Sequence, residues 1–86
     1  MDKVIIEGKD NSGKPKQDYA DRLAEMTEPE LLKATEKAIW LSAYANNNPR
    51  SDYHWYCDVC YSECNRRGNI DLYRTAHKAA MKSAGC

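Results

Sequence analysis

The chain has no phenylalanine, so the bulk of any core must come from its six tyrosines, two tryptophans and its leucines and isoleucines. It also has no net charge, because 13 basic side chains balance 13 acidic ones. That balance excludes nucleic-acid binding driven by overall attraction. No run is long or apolar enough to span a membrane, and the opening Met-Asp-Lys-Val-Ile-Ile is not a signal peptide. Neither an internal repeat nor a low-complexity segment is present. A cytoplasmic protein with no membrane partner is therefore expected. In that reducing compartment four cysteines are expected as free thiols or metal ligands, not as a disulfide framework. A chain of 86 residues supports one domain with a small stability margin, to which a homodimer or a bound metal would add.

The balanced charge is unevenly placed. Residues 1–30 carry five bases and eight acids, whereas residues 65–82 carry five bases and only Asp71. Arg74, Lys78 and Lys82 recur every fourth residue, which lines one face of a helix, and Arg66 and Arg67 lie just upstream. Such a face suits an acidic protein surface or phosphates, so nucleic acid is a candidate partner there alone. The plain alternative is a solvated face whose cations favour helix C-termini.

Apolar spacing gives an all-α fold, a small bundle of three main helices plus a short one, behind an extended arm. Residues 1–16 form the arm and turn, and residues 17–86 the helical domain. Tyr19, Leu23 and Met26 mark one face of a short helix over Gln17–Met26. Thr27-Glu28-Pro29-Glu30 then spells a capping box with proline in the first turn. The helix it opens should run to about Ala45. Leu31, Leu32, Ala34, Ala38, Ile39, Leu41 and Ala45 give it a wide apolar surface, and Trp40 and Tyr44 give it a second face. That width predicts the central helix. Asn46–Arg50 should end it. Ser51 or Asp52 would cap a third helix to about Arg67, with Gly68 as terminator, and Asn69 a fourth from Ile70 to about Ser83. Ile70, Tyr73, Ala76, Ala80 and Ala84 mark the inner stripe of that last helix, with Leu72 beside it.

Residues 53–64, Tyr-His-Trp-Tyr-Cys-Asp-Val-Cys-Tyr-Ser-Glu-Cys, hold three of the four cysteines and three of the six tyrosines. Cys57 and Cys60 have zinc-like spacing with His54 three residues upstream. Cys64, His77 and Cys86 are further potential ligands. In one helix, however, Cys57 and Cys64 stand two turns or about 10 Å apart, too far for thiolates that each need about 2.3 Å to one zinc. The metal alternative is therefore His54, Cys57, Cys60 and His77. A catalytic thiol would need His54 or His77 held against it as a base. The favoured reading is a core seam, with Tyr53, Cys57, Cys60, Tyr61 and Cys64 on one helical face. On that reading no cofactor is expected, and Trp40, Tyr44 and Tyr73 pack close to the small thiols.

Two resemblances add expectations. Val4-Ile5-Ile6-Glu7-Gly8-Lys9-Asp10-Asn11-Ser12-Gly13-Lys14 contains Gly-x-x-x-x-Gly-Lys, the phosphate-cradling loop, and over residues 4–26 resembles the opening of thymidylate-kinase-like enzymes. Pro15 stands where that family has a magnesium-holding Ser or Thr. No later segment reads as a strand of the required sheet. The resemblance thus implies at most a degenerate P-loop nucleotide binder. Ala-Ile-Trp-Leu-Ser-Ala-Tyr-Ala and Tyr-His-Trp-Tyr-Cys-Asp-Val-Cys-Tyr lie within Leu31–Ala80, which is similar in style to small bacteriophage accessory proteins. That similarity implies a protein that binds and blocks a host enzyme or defence complex, CRISPR effectors included, in the host cytoplasm.

The expected function is a non-enzymatic inhibitor or modulator of a larger protein assembly. Trp55, Tyr56 and Tyr61 would anchor it, and Arg66, Arg67, Arg74, Lys78 and Lys82 would steer it. A zinc-stabilised nucleic-acid-binding module is the alternative from another class.

Overall fold

The computed structural model describes residues 3–45 and 52–85, and it is an all-α bundle. Four α-helices follow in order: α1 (Gln17–Ala24), α2 (Glu28–Trp40), α3 (Asp52–Arg66) and α4 (Ile70–Gly85). The helical course of α2 continues as a π-helical turn over Leu41–Ala45. The long helix expected to Ala45 is therefore continuous but changes its hydrogen-bond register after Trp40. The terminator read at 46–50, the Ser51 cap and Cys86 lie outside the described residues, as do the side chains of Tyr44 and Ala84.

Local chemistry sets most boundaries. Thr27 accepts from the Glu30 N–H at 3.4 Å while the Glu30 carboxylate accepts from the Thr27 N–H at 2.8 Å. This is the complete capping box, with Pro29 in the first turn. The Thr27 N–H first, and the Thr27 hydroxyl at 3.1 Å next, also hold the Glu30 carboxyl below its ordinary range. At the end of α3, Gly68 takes φ +71°, a left-handed conformation that costs glycine little. The Gly68 N–H reaches Asn65 O at 3.0 Å and the Asn69 N–H reaches Cys64 O at 2.9 Å. Those two bonds make the Schellman motif. Asn69 then caps α4, accepting from the Leu72 N–H at 3.3 Å, and its amide donates to Glu28 at 2.9 Å. One short corner thus stops a helix, starts the next and ties both to α2.

The arm is extended, but Val4-Ile5-Ile6 pairs with no strand among the described residues. Gln17 substitutes for one. Its Oε1 accepts from the Ile6 N–H at 3.0 Å and its Nε2 donates to Val4 O at 2.8 Å. Strand-like alternation follows: Val4 and Ile6 pack on the core and Ile5 points outward, 70 % exposed.

The core lies where α2 meets α3 and α4, and α1 packs against α3. Leu23, Leu31, Ala38, Val59, Cys60, Cys64 and Leu72 form its larger part, continued by Ile39, Ala76 and Ala80. Alanine and cysteine at these contacts let helix axes approach closely, which gives dense packing without phenylalanine. α2 is central, as its wide apolar surface predicted. Trp40, however, lies at the surface, 36 % exposed, and not in the buried core.

Candidate docking surface

The cysteine helix α3 is read most simply from its buried side. Val59, Cys60, Glu63 and Cys64 are buried, Cys57 is half-buried, and Tyr61 falls on the edge of that stripe and stays exposed. Burial raises all three thiols above their ordinary value, Cys64 to about 11. For Cys57 the bond to Ser42 partly offsets this; for Cys60 the Tyr19 and Thr35 hydroxyls do. Thiols raised in this way are poor nucleophiles at neutral pH. Tyr19 Oη lies 3.6 Å from Cys60 Sγ, and burial foremost, with Cys60 next, pushes that phenol up as well.

The potential metal ligands are not gathered. His54 Nδ1 lies 2.7 Å from the Ser42 hydroxyl, Cys60 is enclosed beside Tyr19, and His77 is exposed on α4. Among the described residues no group of three or more His, Cys, Asp or Glu side chains is placed to hold a metal ion. The set His54, Cys57, Cys60 and His77 is thus corrected: a continuous helix sends His54 and Cys60 to different neighbours, and His77 faces outward from α4.

The Gly8–Lys14 loop is also filled from within. The Asp10 carboxylate accepts from the Ser12 and Lys14 N–H groups, both at 2.9 Å, and Asp52 accepts from the Asn11 N–H at 3.1 Å. In a phosphate cradle such N–H groups point at the ligand. Here two carboxylates of the chain take that place, and the loop works as a staple between arm and α3. Asp52 further accepts from Trp55 Nε1 at 2.8 Å, and Lys16 sits 5.1 Å from the Trp55 ring centre.

That staple also decides the fate of two expected anchors. Tyr19 stacks on Tyr56 at 4.0 Å and meets Trp55 edge-on at 5.6 Å. Trp55 and Tyr56 are half-buried in this α1–α3 cluster, so they are corrected from docking anchors to packing residues. Arg66 and Arg67 need the same correction. Both bond to the fully buried Glu63 carboxylate, Arg67 at 2.7 Å. Arg67 also donates to Leu23 O at 2.9 Å and Met26 O at 2.8 Å, satisfying carbonyls at and beyond the end of α1. Burial acts to raise the Glu63 carboxyl, but bonds from Arg66 and Arg67 outweigh it and hold the group below its ordinary range. Sequence reasoning missed this triad, although Glu63 falls between Val59 and Cys60 on the helical wheel and has arginines three and four residues on.

What remains outward is one coherent patch. Tyr61, 49 % exposed, meets Tyr73 edge-on at 5.3 Å. With Ile70, Arg74, His77 and Lys78 they line a groove of about 460 Å³ between α3 and α4. Arg74 has only an exposed 3.6 Å contact with Asp71, and Lys82 continues the basic row one turn on. Among the described residues no carboxylate lines the groove. No protein family, curated protein or solved structure matches this chain. Among the described residues no helix is long and apolar enough to cross a membrane.

Proposed function

We propose that this is a non-enzymatic binding protein, an inhibitor or modulator of a larger protein assembly, which docks an acidic surface of its partner in the α3–α4 groove. The observation that carries the reading is Tyr61. It is a large aromatic ring held by Tyr73 yet half open to solvent, in a groove edged by cations and free of carboxylates. Tyrosine and arginine are enriched at binding hot spots, tyrosine because a rigid ring buries much area with only two side-chain torsions and arginine because its planar fork makes several charged hydrogen bonds. Cations around them steer an acidic partner and raise the association rate. The similarity of Leu31–Ala80 to phage accessory proteins supports a host enzyme or defence complex as the kind of assembly bound.

The test is affinity capture with three tagged proteins: wild type, Tyr61→Ala, and Arg74→Glu with Lys78→Glu. All three should melt within a few degrees of one another, since these residues are exposed. The reading expects a protein recovered by wild type and lost by both variants. Recovery of the same proteins by all three, or of nucleic acid in place of protein, would overturn it.

A further inference from the structure

A second recess, which shares no residue with the docking groove, lies where α1, α2 and α3 meet. Its volume is about 300 Å³, and its lining includes Arg22, Ala34, Lys37, Ala38, Tyr53 and Tyr56. That volume is at the lower end for small-molecule sites, which are mostly apolar with a few convergent polar groups. Three features give it a chemistry.

The wall is aromatic and fixed. Tyr56 stacks on Tyr19 with planes 11° apart, and Tyr53 meets Tyr56 edge-on at 5.6 Å. The Tyr19 hydroxyl is turned to Cys60, which together with the stack fixes the ring that backs Tyr56. The floor is hollow because α2 presents Ala34 and Ala38 there, and because the π-helical turn starts at Leu41 on its border. Single π turns are often found at functional sites. The charge is of one sign. Arg22 and Lys37 are lining residues with no ion-pair partner among the described residues, and no carboxylate lines the recess. The nearby acids Asp10 and Asp52 are already engaged by the Ser12, Lys14 and Asn11 N–H groups and by Trp55 Nε1.

We infer that this recess binds a small planar aromatic carboxylate, its ring against Tyr56 and the alanine floor and its carboxylate between Arg22 and Lys37. A neutral ring would gain the stacking but not the cations. A small anion without a ring would leave the apolar floor wet.

Titration with 2-naphthoate, followed by amide NMR shifts and calorimetry, tests this directly, with 2-naphthylmethanol as the neutral counterpart. Saturable binding is expected with Kd on the order of 0.1–1 mM, the range that ligand efficiency allows for a probe of this size. Shifts should centre on α1, the end of α2 and the start of α3. The neutral alcohol should bind roughly ten-fold more weakly, and Arg22→Gln with Lys37→Gln should erase that difference. Both of those positions are exposed, so the variant should fold. Ala34→Leu, checked by its melting temperature, should fill the recess and block binding. Absence of saturation, equal affinity for alcohol and acid, or naphthoate binding unchanged in the Arg22/Lys37 variant would each overturn the assignment. Because the docking groove contributes no residue, Tyr61→Ala should bind naphthoate as wild type does, so either proposal can fail without the other.

Discussion

Removing Arg67 should destabilise this protein more than removing Glu63, although the two residues share one ion pair. Glu63 is fully buried, whereas the Arg66 and Arg67 side chains keep 22 % and 14 % exposure. In Glu63→Ala both guanidiniums retain access to water, and Arg67 still holds Leu23 O and Met26 O. The cost should therefore lie below that of an isolated buried charge, at about 2–3 kcal/mol. Arg67→Met leaves the buried carboxylate with Arg66 alone and strips charged donors from two backbone carbonyls. Breaking a buried pair costs about 3–5 kcal/mol, and hydrogen bonds to charged groups about 1.5–3 kcal/mol each. Partial relaxation of both keeps the sum near 4 kcal/mol. A domain of this length has roughly 4–13 kcal/mol in total, so Arg67→Met should remove at least about a third of it.

Urea denaturation at pH 7, followed by helical circular dichroism, measures both values. If Arg67→Met costs under about 1 kcal/mol, or less than Glu63→Ala, the clamp does not act as described. Acid supplies a second check with Glu63→Gln, which keeps the volume but cannot ionise. The Glu63 carboxyl is held below its ordinary range in the fold, so the unfolded chain takes up its proton first as pH falls. The advantage of wild type over Glu63→Gln is therefore complete above the ordinary glutamate value of about 4.3. It is lost as pH falls through the lower folded value. A difference that persists unchanged at pH 2 would mean that shape, not charge, holds the corner.

Three further outcomes follow from the same contacts. The Thr35 hydroxyl is fully buried and has no nitrogen or oxygen partner among the described residues, only the weakly bonding Cys60 thiol, so Thr35→Val should be neutral or stabilising by up to about 1 kcal/mol in urea; a clear loss would show that the bond to the thiol stabilises the fold. In a Cys86→Ala background, alkylation at pH 8 should modify half-buried Cys57 well before Cys60 and Cys64. With its thiol pushed up to about 11, Cys64 is ionised in only about one molecule in a thousand at that pH, and equal labelling of all three would contradict the packing. Millimolar nucleoside triphosphate should leave the melting temperature of wild type and Lys14→Ala unchanged, because Asp10 and Asp52 fill the loop; a shift that Lys14→Ala removes would restore the phosphate-cradle reading.

Features decided within a few residues could be read directly from the sequence. The Thr27 box and the Asn69 cap came from side chains acting on backbone three positions away, the Gly68 stop from the freedom of a residue without a side chain to turn left-handed, and each lies where expected. Features decided by distant partners could not. The identity of the anion in the Gly8–Lys14 loop depends on Asp52, 41 residues from Asn11. The fate of Trp55 and Tyr56 depends on Tyr19, which periodicity placed on a helical face without saying which helix would receive it. Arg66 and Arg67 counted as surface charge because composition does not distinguish a steering cation from one bonded to a buried carboxylate. The π-helical turn had no sequence signal that separated it from one more turn of α-helix.

The zero net charge takes on a different meaning once those partners are known. Many of the acids hold the fold together: Glu63 anchors two arginines, Asp10 and Asp52 fill the loop, Glu30 closes the capping box, and Glu28 receives Asn69. Arg22, Lys37, Lys78 and Lys82 have no ion-pair partner among the described residues, and Arg74 has only a loose surface contact. A chain neutral by composition therefore presents two cation-edged concavities, neither lined by a carboxylate among the described residues. The two kinds of charge should respond differently to salt. Added salt screens exposed cations over a length of about 10 Å at 0.1 M, so binding at either concavity should weaken with ionic strength. The Glu63 triad is largely shielded from solvent ions and should keep its contribution to stability. If stability and binding fell together with salt, acids and bases would share the surface evenly, and the division of roles between them would be wrong.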